Sequence, residues 1–266
     1  GAQRPLAGLT MANCLRDGAP DAWGRRVIIN RLTGLKGDGA RDAELDELTY
    51  MIESGSDRIG ALDFQASATD YAAREPTNAT LAELSEASER VEKGVPLTPA
   101  LDRALYHGSS IGGARPKALL ESDTQKYIAK FSATNDTYSV VKGEFVAMRL
   151  AKLCDLNVAA VELTAASGKD VLLVERFDRV HSAAGWQRRA MVSALTLFEL
   201  DELMARHASY HELADKVRAN FTAPRDTLRE LFGRLVFNVL TGNTDDHARN
   251  HAAFWDGKAL SLTPAY

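Results

Sequence analysis

The chain has 266 residues, 45% of them hydrophobic and 26% charged, with a net charge of −4. That is ordinary globular composition, long enough for one large or two modest domains with real cores. The acidic balance excludes a global basic field for nucleic acid and leaves only local patches. Two cysteines, Cys14 and Cys154, are too few for a disulfide framework and fit a reducing compartment. Cys154 falls in a helical apolar pattern and is expected in the core. There is no run of 18 apolar residues and no signal-peptide pattern, so the expectation is a soluble, cytoplasmic protein. The first residues, Gly-Ala-Gln-Arg-Pro, lack a Met, and the natural start is expected to precede them.

Residues 10–32 read as partly helical, with Pro20 near the start of Asp21-Ala-Trp-Gly-Arg-Arg-Val-Ile-Ile-Asn. A helix is expected over 42–54, with Leu45, Leu48 and Ile52 on one side, and a short strand over 60–65. Polar composition from Ala66 to Glu75 reads as a connection. Helices follow over 80–93, with Leu81, Leu84 and Val91 inward, and over 98–106, started by Thr98 and Pro99. None of these residues carries a chemical constellation.

The character changes at Gly108-Ser-Ser-Ile-Gly-Gly-Ala-Arg-Pro-Lys117. A Ser- and Gly-rich loop leads into a strand over 118–121. Its glycines would let backbone N–H groups close on a phosphate, with Lys117 or Arg115 adding charge; a Gly-Gly turn is the plainer reading. Lys126–Ser132 alternates as a strand, Tyr127, Ala129 and Phe131 on one face and Lys130 on the other. Lys130 is either an edge-strand lysine on a wet face or a lysine aimed at phosphates. The helix over 143–155 presents Val146, Arg149, Leu150 and Leu153 as its expected stripe. Its first turn carries Glu144, where the dipole favours an acid and a strand lysine could pair with it. Two strands, 158–165 and 170–177, join through a Ser-Gly-Lys turn. The second runs on as Val174-Glu-Arg-Phe-Asp-Arg179, a place where a nucleotide base could bond to the backbone. Residues 191–227 continue helical, with Leu195, Phe198 and Leu203 as apolar positions.

A helix then carries apolar residues at Leu228, Leu231, Phe232, Leu235, Val236, Val239 and Leu240, the spacing of a buried stripe, with Gly242 as C-cap. The polar stretch Asn243–Asn250 follows. Then come a strand over 251–255, an Asp256-Gly257 type I′ turn and a return strand over 258–262. Phe254 and Trp255 read as core. Asp245 and Asn250 have the five-residue spacing of a kinase catalytic loop, in which the Asp accepts the substrate hydroxyl proton and the Asn holds Mg²⁺. The plainer reading is a capped, solvated turn. A metal-dependent hydrolase built on Asp245, Asp246, His247 and His251 is a further alternative, weakened because His251 begins a strand.

The order of glycine loop, strand lysine, helix glutamate, hairpin, connection and Asp…Asn loop is kinase-like. The chain resembles the HipA family, the serine/threonine-kinase toxins of HipBA toxin–antitoxin modules. The residues that carry the resemblance are Asp21-Ala-Trp-Gly-Arg-Arg, Gly55-Ser-Asp-Arg-Ile-Gly-Ala, Ser110-Ile-Gly-Gly-Ala-Arg-Pro-Lys117, Val174-Glu-Arg-Phe-Asp-Arg179 and Thr244-Asp-Asp-His-Ala-Arg-Asn250. It implies an α+β, two-lobed protein-kinase-like fold. A mixed lobe over 1–178 would hold the phosphate loop, lysine strand and hinge, and a mainly helical lobe over 179–266 the catalytic loop.

The resemblance also implies roles. Asp245 would be the catalytic base and Asn250 the Mg²⁺ ligand, with His247, Ala248, Arg249 and Asn250 bordering ATP. Gly112, Gly113, Ala114, Arg115, Pro116 and Lys117 would form the phosphate loop, and Lys130 would contact the phosphates. Glu175, Arg176 and Phe177 would line the adenine, through the backbone of Glu175 and Phe177, and Ser110 would be autophosphorylated. Glu144 as partner of Lys130 follows from kinase logic in general. Implied partners are a protein substrate, by family analogy an aminoacyl-tRNA synthetase, and a HipB-like helix-turn-helix antitoxin through which DNA is reached indirectly; no membrane is implied.

Three departures stand out. Asp246 replaces the family's usual Gly, placing a second carboxylate beside the Mg²⁺ position. Pro116 removes one backbone donor from the loop. The family continues past Tyr266 with an Asp that is its second Mg²⁺ ligand, so the chain is expected to be cut short there. The first and last of these favour a runner-up reading, a catalytically degenerate kinase that serves as an antitoxin-binding co-repressor.

Overall fold

The computed structural model describes residues 4–33, 45–74 and 79–266. They divide into two compact units. One holds the described residues of 18–146 together with 160–176, the other those up to Asp17, 147–159 and 177–266. The second unit is thus assembled from three stretches of the chain, one before Gly18, one over 147–159 and one from Phe177 on.

The first short helix, α1 (Asn13–Asp17), belongs to the second unit. α2 (Ala22–Thr33) opens the first unit and buries Trp23, Val27, Ile28 and Ile29. α3 (Glu47–Glu53) starts where the Asp46 carboxylate accepts the Thr49 N–H at 3.0 Å. The longer helix expected from 42 therefore begins at Glu47; residues 42–44 lie outside the described ones. Residues 60–65 form no strand. The Asp63 carboxylate instead accepts from Arg58, Arg74 and the Phe64 N–H, so side chains do the holding that a ladder would have done. α4 (Leu81–Glu92) carries a full capping box between Thr80 and Glu83, and α5 (Pro99–Tyr106) follows Thr98 as expected.

β1 (Lys117–Glu121) and β2 (Lys126–Phe131) pair antiparallel. α6 (Val140–Leu153) crosses to β3 (Val161–Ala166) and β4 (Lys169–Glu175). The sheet order is β1-β2-β4-β3, all antiparallel. Ala166 pairs with Lys169, and Ser167 and Gly168 between them both have positive φ, the geometry of a two-residue type I′ turn. One sheet face, with Ala118, Ala129, Phe131, Val171 and Leu173, packs on Trp23, Val27, Leu84, Val91, Leu101 and Leu105 from α2, α4 and α5. β2 is an inner strand, so Lys130 is not an edge-strand lysine. On α6 the buried residues are Val141, Met148 and Ala151; the expected stripe of Val146, Leu150 and Leu153 faces solvent, and Cys154 is exposed rather than core.

Beyond Phe177 the second unit continues with a hairpin that the sequence did not announce, β5 (Arg179–Ser182) and β6 (Gly185–Arg188). β7 (Met191–Ser193) leads into α7 (Ala194–Phe198), a 3₁₀ turn over Glu202–His207, α8 (Tyr210–Asn220) and α9 (Pro224–Thr241). β8 (Ala252–Trp255) and β9 (Leu260–Leu262) complete a three-stranded antiparallel sheet in the order β7-β8-β9. Its core gathers Leu195, Phe198, Leu213, Val217, Phe221, Leu231, Ala253 and Leu260. Leu203, expected among the apolar positions, is exposed, and so is Trp255, while Phe254 is buried.

The β8–β9 loop spans four residues rather than the two of a type I′ turn. The Asp256 carboxylate accepts both the Lys258 and Ala259 N–H groups and widens it. α9 ends at Gly242 in the left-handed conformation, as its C-cap reading requires. Its stripe is largely overturned: Phe232, Val239 and Leu240 are 67%, 72% and 80% exposed, while Thr227, Leu231 and Arg234 are buried. The Arg234 guanidinium explains the rotation. It donates to Glu230, to the Asn157 carbonyl and to the Thr263 carbonyl, which fixes the face of the helix that turns inward.

Candidate functional site

In the first unit the glycine loop is folded tightly on the start of α2. The Gly113 N–H donates to the Asp21 carboxylate at 2.7 Å, the Trp23 N–H donates to the Gly113 carbonyl at 3.2 Å, and the Trp23 indole donates to the Lys117 carbonyl at 2.9 Å. Gly113 has φ +101°, and a Cβ there would lie 2.4 Å from the Lys117 ammonium, so this position admits only glycine. A Cβ on Gly24 would fall 2.0 Å from the Ser109 carbonyl oxygen, which shows how closely α2 approaches the loop.

Lys117 and Lys130 stand opposite each other across β1 and β2, and so share a sheet face. Lys117 is buried and donates to the Gly112 carbonyl at 2.7 Å. Burial and the neighbouring Lys130 pull its pKa down from 10.5 to about 8, against the opposing pull of Asp21 and Glu144. Lys130 is ion-paired to Glu144, as kinase logic leads one to expect. Arg115 is committed to Asp136 at 2.5–2.7 Å. Ser110 is 1% exposed, its hydroxyl directed at the Asp57 carbonyl at 3.4 Å, so in this arrangement the hydroxyl is shielded.

At the strand exit the Glu175 N–H is already given to the Ala160 carbonyl at 2.9 Å. The Arg176 guanidinium is buried and donates to the Asp57 and Arg58 carbonyls and to the Asp57 carboxylate. It is spent inside the unit. Phe177 packs edge-on against Phe254.

In the second unit Asn243–Asn250 is a braced loop. The Asn243 side chain accepts the Asp245 N–H at 3.1 Å, and the Asn250 amide donates to the Asp245 carbonyl at 2.6 Å. The two residues that spacing singled out are thus joined. Asp245 is exposed, and its carboxylate has no hydrogen-bond partner among the described residues. Because the Asn250 nitrogen is tied, its amide oxygen is the atom left for a hard cation. His247 accepts the Arg249 N–H, Arg249 pairs with Glu202 at 3.0 Å, and Ala248 is buried.

Asp246 points the other way. Its carboxylate accepts the Tyr210 hydroxyl at 2.5 Å and lies 2.8 Å from His251 Nε2. Burial works to raise its pKa, but the hydrogen bonds from His251 and Tyr210 hold it down at about 2. Tyr210 is pushed well up, by burial first and then by Asp246. The ligand cluster of the hydrolase alternative does not assemble: among the described residues no group of three His, Cys, Asp or Glu side chains could hold a metal. Tyr210 and Asp21 escaped sequence reasoning as parts of this machinery. Each acts on a loop far away in the chain, and only the Asp21-Ala-Trp-Gly motif offered a signal.

A glycine loop with facing lysines beside a small antiparallel sheet, and an Asp–Asn loop after a long helix, sit on an α+β, protein-kinase-like fold. Residues 109–266 match the model of the HipA-like C-terminal domain, and the chain belongs to that family. It is 30% identical over 190 residues to the serine/threonine-protein kinase toxin HipA of Shewanella oneidensis, covering 59% of this chain and 42% of that one. It is 28% identical over 144 residues to the Y4mE protein of Sinorhizobium fredii, covering 52% of this chain and 33% of that one. The chain therefore spans less than half the length of these relatives. Its fold matches HipA in the solved complex of Shewanella oneidensis HipA, HipB and operator DNA with a TM-score of 0.65 at 21% identity, over 96% of this chain and 63% of that one. No helix among the described residues is long and apolar enough to cross a membrane.

Proposed function

We propose that the chain carries the catalytic core of an ATP- and Mg²⁺-dependent serine/threonine protein kinase of the HipA toxin type, acting in the cytoplasm. The observation that carries this is the Asp245 loop: an exposed, unpartnered carboxylate on a backbone braced by Asn243 and Asn250. Asp245 is the base that takes the proton of the attacking hydroxyl. The side-chain oxygen of Asn250 is the donor for Mg²⁺, which when bound neutralises charge on the phosphates. Lys117 and Lys130 meet the phosphates, with Glu144 holding Lys130 in place, and Gly112–Lys117 supplies the loop around them. His247–Asn250 border the nucleotide. At the strand exit Glu175 and Phe177 face the adenine with those backbone groups not already used, and Arg176 serves as an internal strut.

The donors fit the groups they would hold. The facing lysines suit a polyphosphate, and the glycine at 113 leaves no Cβ to block it. By the likeness to HipA bound to HipB, a helix-turn-helix antitoxin is the partner, with DNA reached through it. The family analogy points to an aminoacyl-tRNA synthetase as the protein substrate and to Ser110 as the site of autophosphorylation.

The test is labelled ATP with Mg²⁺, on this chain and on Asp245→Ala, with the product mapped by mass spectrometry. Label on Ser110 that disappears in the variant is the expected outcome. ATP binding without transfer would replace this reading with that of an antitoxin-binding co-repressor.

A further inference from the structure

Asp246 occupies the position most able to disturb the metal, next to the base and four residues before Asn250. The structure gives it other work. Its two oxygens are taken by Tyr210 at 2.5 Å and His251 at 2.8 Å, and Tyr210 Oη lies 3.2 Å from His251 Nε2. The two rings meet nearly edge-on, with centroids 5.5 Å apart. The pattern is self-consistent in one arrangement of protons. The tyrosine hydroxyl donates to Asp246, and the His251 Nε2–H is shared between Asp246 and the tyrosine oxygen. His251 Nδ1 is buried without a hydrogen-bond partner among the described residues. The His251 carbonyl also accepts the Ala194 N–H at 2.7 Å, at the first residue of α7.

The placement along the chain gives this cluster its meaning. Asp246 directly follows Asp245, and His251 directly follows Asn250. The loop is therefore pinned to α8 and to itself one residue beyond each of its two functional side chains. Fixing a reacting group to within a fraction of an ångström is worth far more than the same bonds contribute to stability.

We propose that Tyr210, Asp246 and His251 form a positioning cluster that holds Asp245 and Asn250 in their working geometry, and that Asp246 is not a metal ligand. This rests on the kinase reading above. None of the three touches the nucleotide; they act through the loop backbone.

The experiment uses the chain as it stands, in wild type, His251→Ala, His251→Gln, Tyr210→Phe and Asp246→Asn. In His251→Ala, amide hydrogen exchange across 243–251 should rise by about tenfold or more. Its kcat should fall by about 10–100-fold, with KM for ATP and half-saturation by Mg²⁺ within about twofold of wild type. Gln at 251 keeps a donor at the Nε2 position and should restore both readouts. Tyr210→Phe removes only the hydroxyl, and gives a smaller change of the same kind should the alanine variant fail to fold. Unchanged loop exchange in His251→Ala and Tyr210→Phe would overturn the proposal. So would an Mg²⁺ requirement raised more than about fivefold in Asp246→Asn, which is the mark of a lost ligand. If the wild-type chain transfers no phosphate, the kinase reading falls, and the exchange data still decide whether the cluster holds the loop.

Discussion

Lys117 is the residue at which stability and the proposed function are most plainly opposed. Its ammonium is buried, and its pKa has fallen from 10.5 to about 8. Because the folded value lies below the unfolded one, the unfolded chain binds the proton more tightly between them, and stability rises with pH across that window. Below pH 8 the cost is fully present, about 3 kcal/mol at 1.36 kcal/mol per pKa unit. Above pH 10.5 it is gone. Met has a similar shape and no charge, and its loss of the bond to the Gly112 carbonyl returns about 1 kcal/mol. Lys117→Met should therefore be more stable than wild type at pH 7 by about 2 kcal/mol. The difference should shrink as pH is raised from 8 towards 10.5, followed by urea denaturation at each pH. A difference that stays constant with pH would show that the ammonium is not the source of the cost. At this scale the sequence was legible wherever chemistry is local. The Lys130–Glu144 pair links a strand to the helix that follows it, and Asp245 and Asn250 are five residues apart. It was not legible for Arg176, assigned to the nucleotide but spent on Asp57 and Arg58, more than a hundred residues back.

Helices and strands were read well wherever a period or a cap set their limits. The helix expected from Thr80, the start at Thr98-Pro99, the Gly242 stop and the alternation along β2 all hold. Which sector of a helix is covered is another matter, because periodicity gives the arc of apolar residues and not the arc that has a neighbour. α9 shows this most clearly, its inward face being set by Arg234 and its distant carbonyl acceptors rather than by Phe232, Val239 and Leu240. Val239→Glu with Leu240→Lys should accordingly change unfolding free energy by no more than about 0.5 kcal/mol each. A loss of several kcal/mol in a denaturant titration would mean that this face is covered after all. α2 gives the opposite case. Gly24 lies where a Cβ would meet the backbone oxygen of Ser109 at 2.0 Å, and neither partner is a flexible side-chain end. Gly24→Ala should cost about 1–3 kcal/mol through overpacking. It should also weaken ATP binding, because the loop that must retreat is the one that carries Gly112 and Gly113.

At the scale of the whole molecule, each of the two units has a large core of its own among the described residues, and the proposed functional groups are divided between the units. The loop and lysines belong to the first unit, the Asp–Asn loop to the second. Ligand linkage can tell binding from chemistry. A ligand that binds the folded chain at a hundred times its Kd stabilises it by about 2.7 kcal/mol. ATP with Mg²⁺ should therefore raise the melting temperature of the wild type. Asp245→Ala should keep that increase, because a base that only receives a proton in the transition state adds little to ground-state binding. Lys117→Met should lose most of it, because in the proposed function the removed ammonium meets the phosphates before any reaction. The two variants then separate in opposite senses: one binds and does not transfer, the other starts from a higher melting temperature and gains little from ATP. If Asp245→Ala also lost the shift, Asp245 would be holding the metal in the ground state rather than acting as base. If Lys117→Met kept the full shift, the glycine loop would not be where the phosphates rest, and the assignment of the first unit would have to be rebuilt around Lys130 alone.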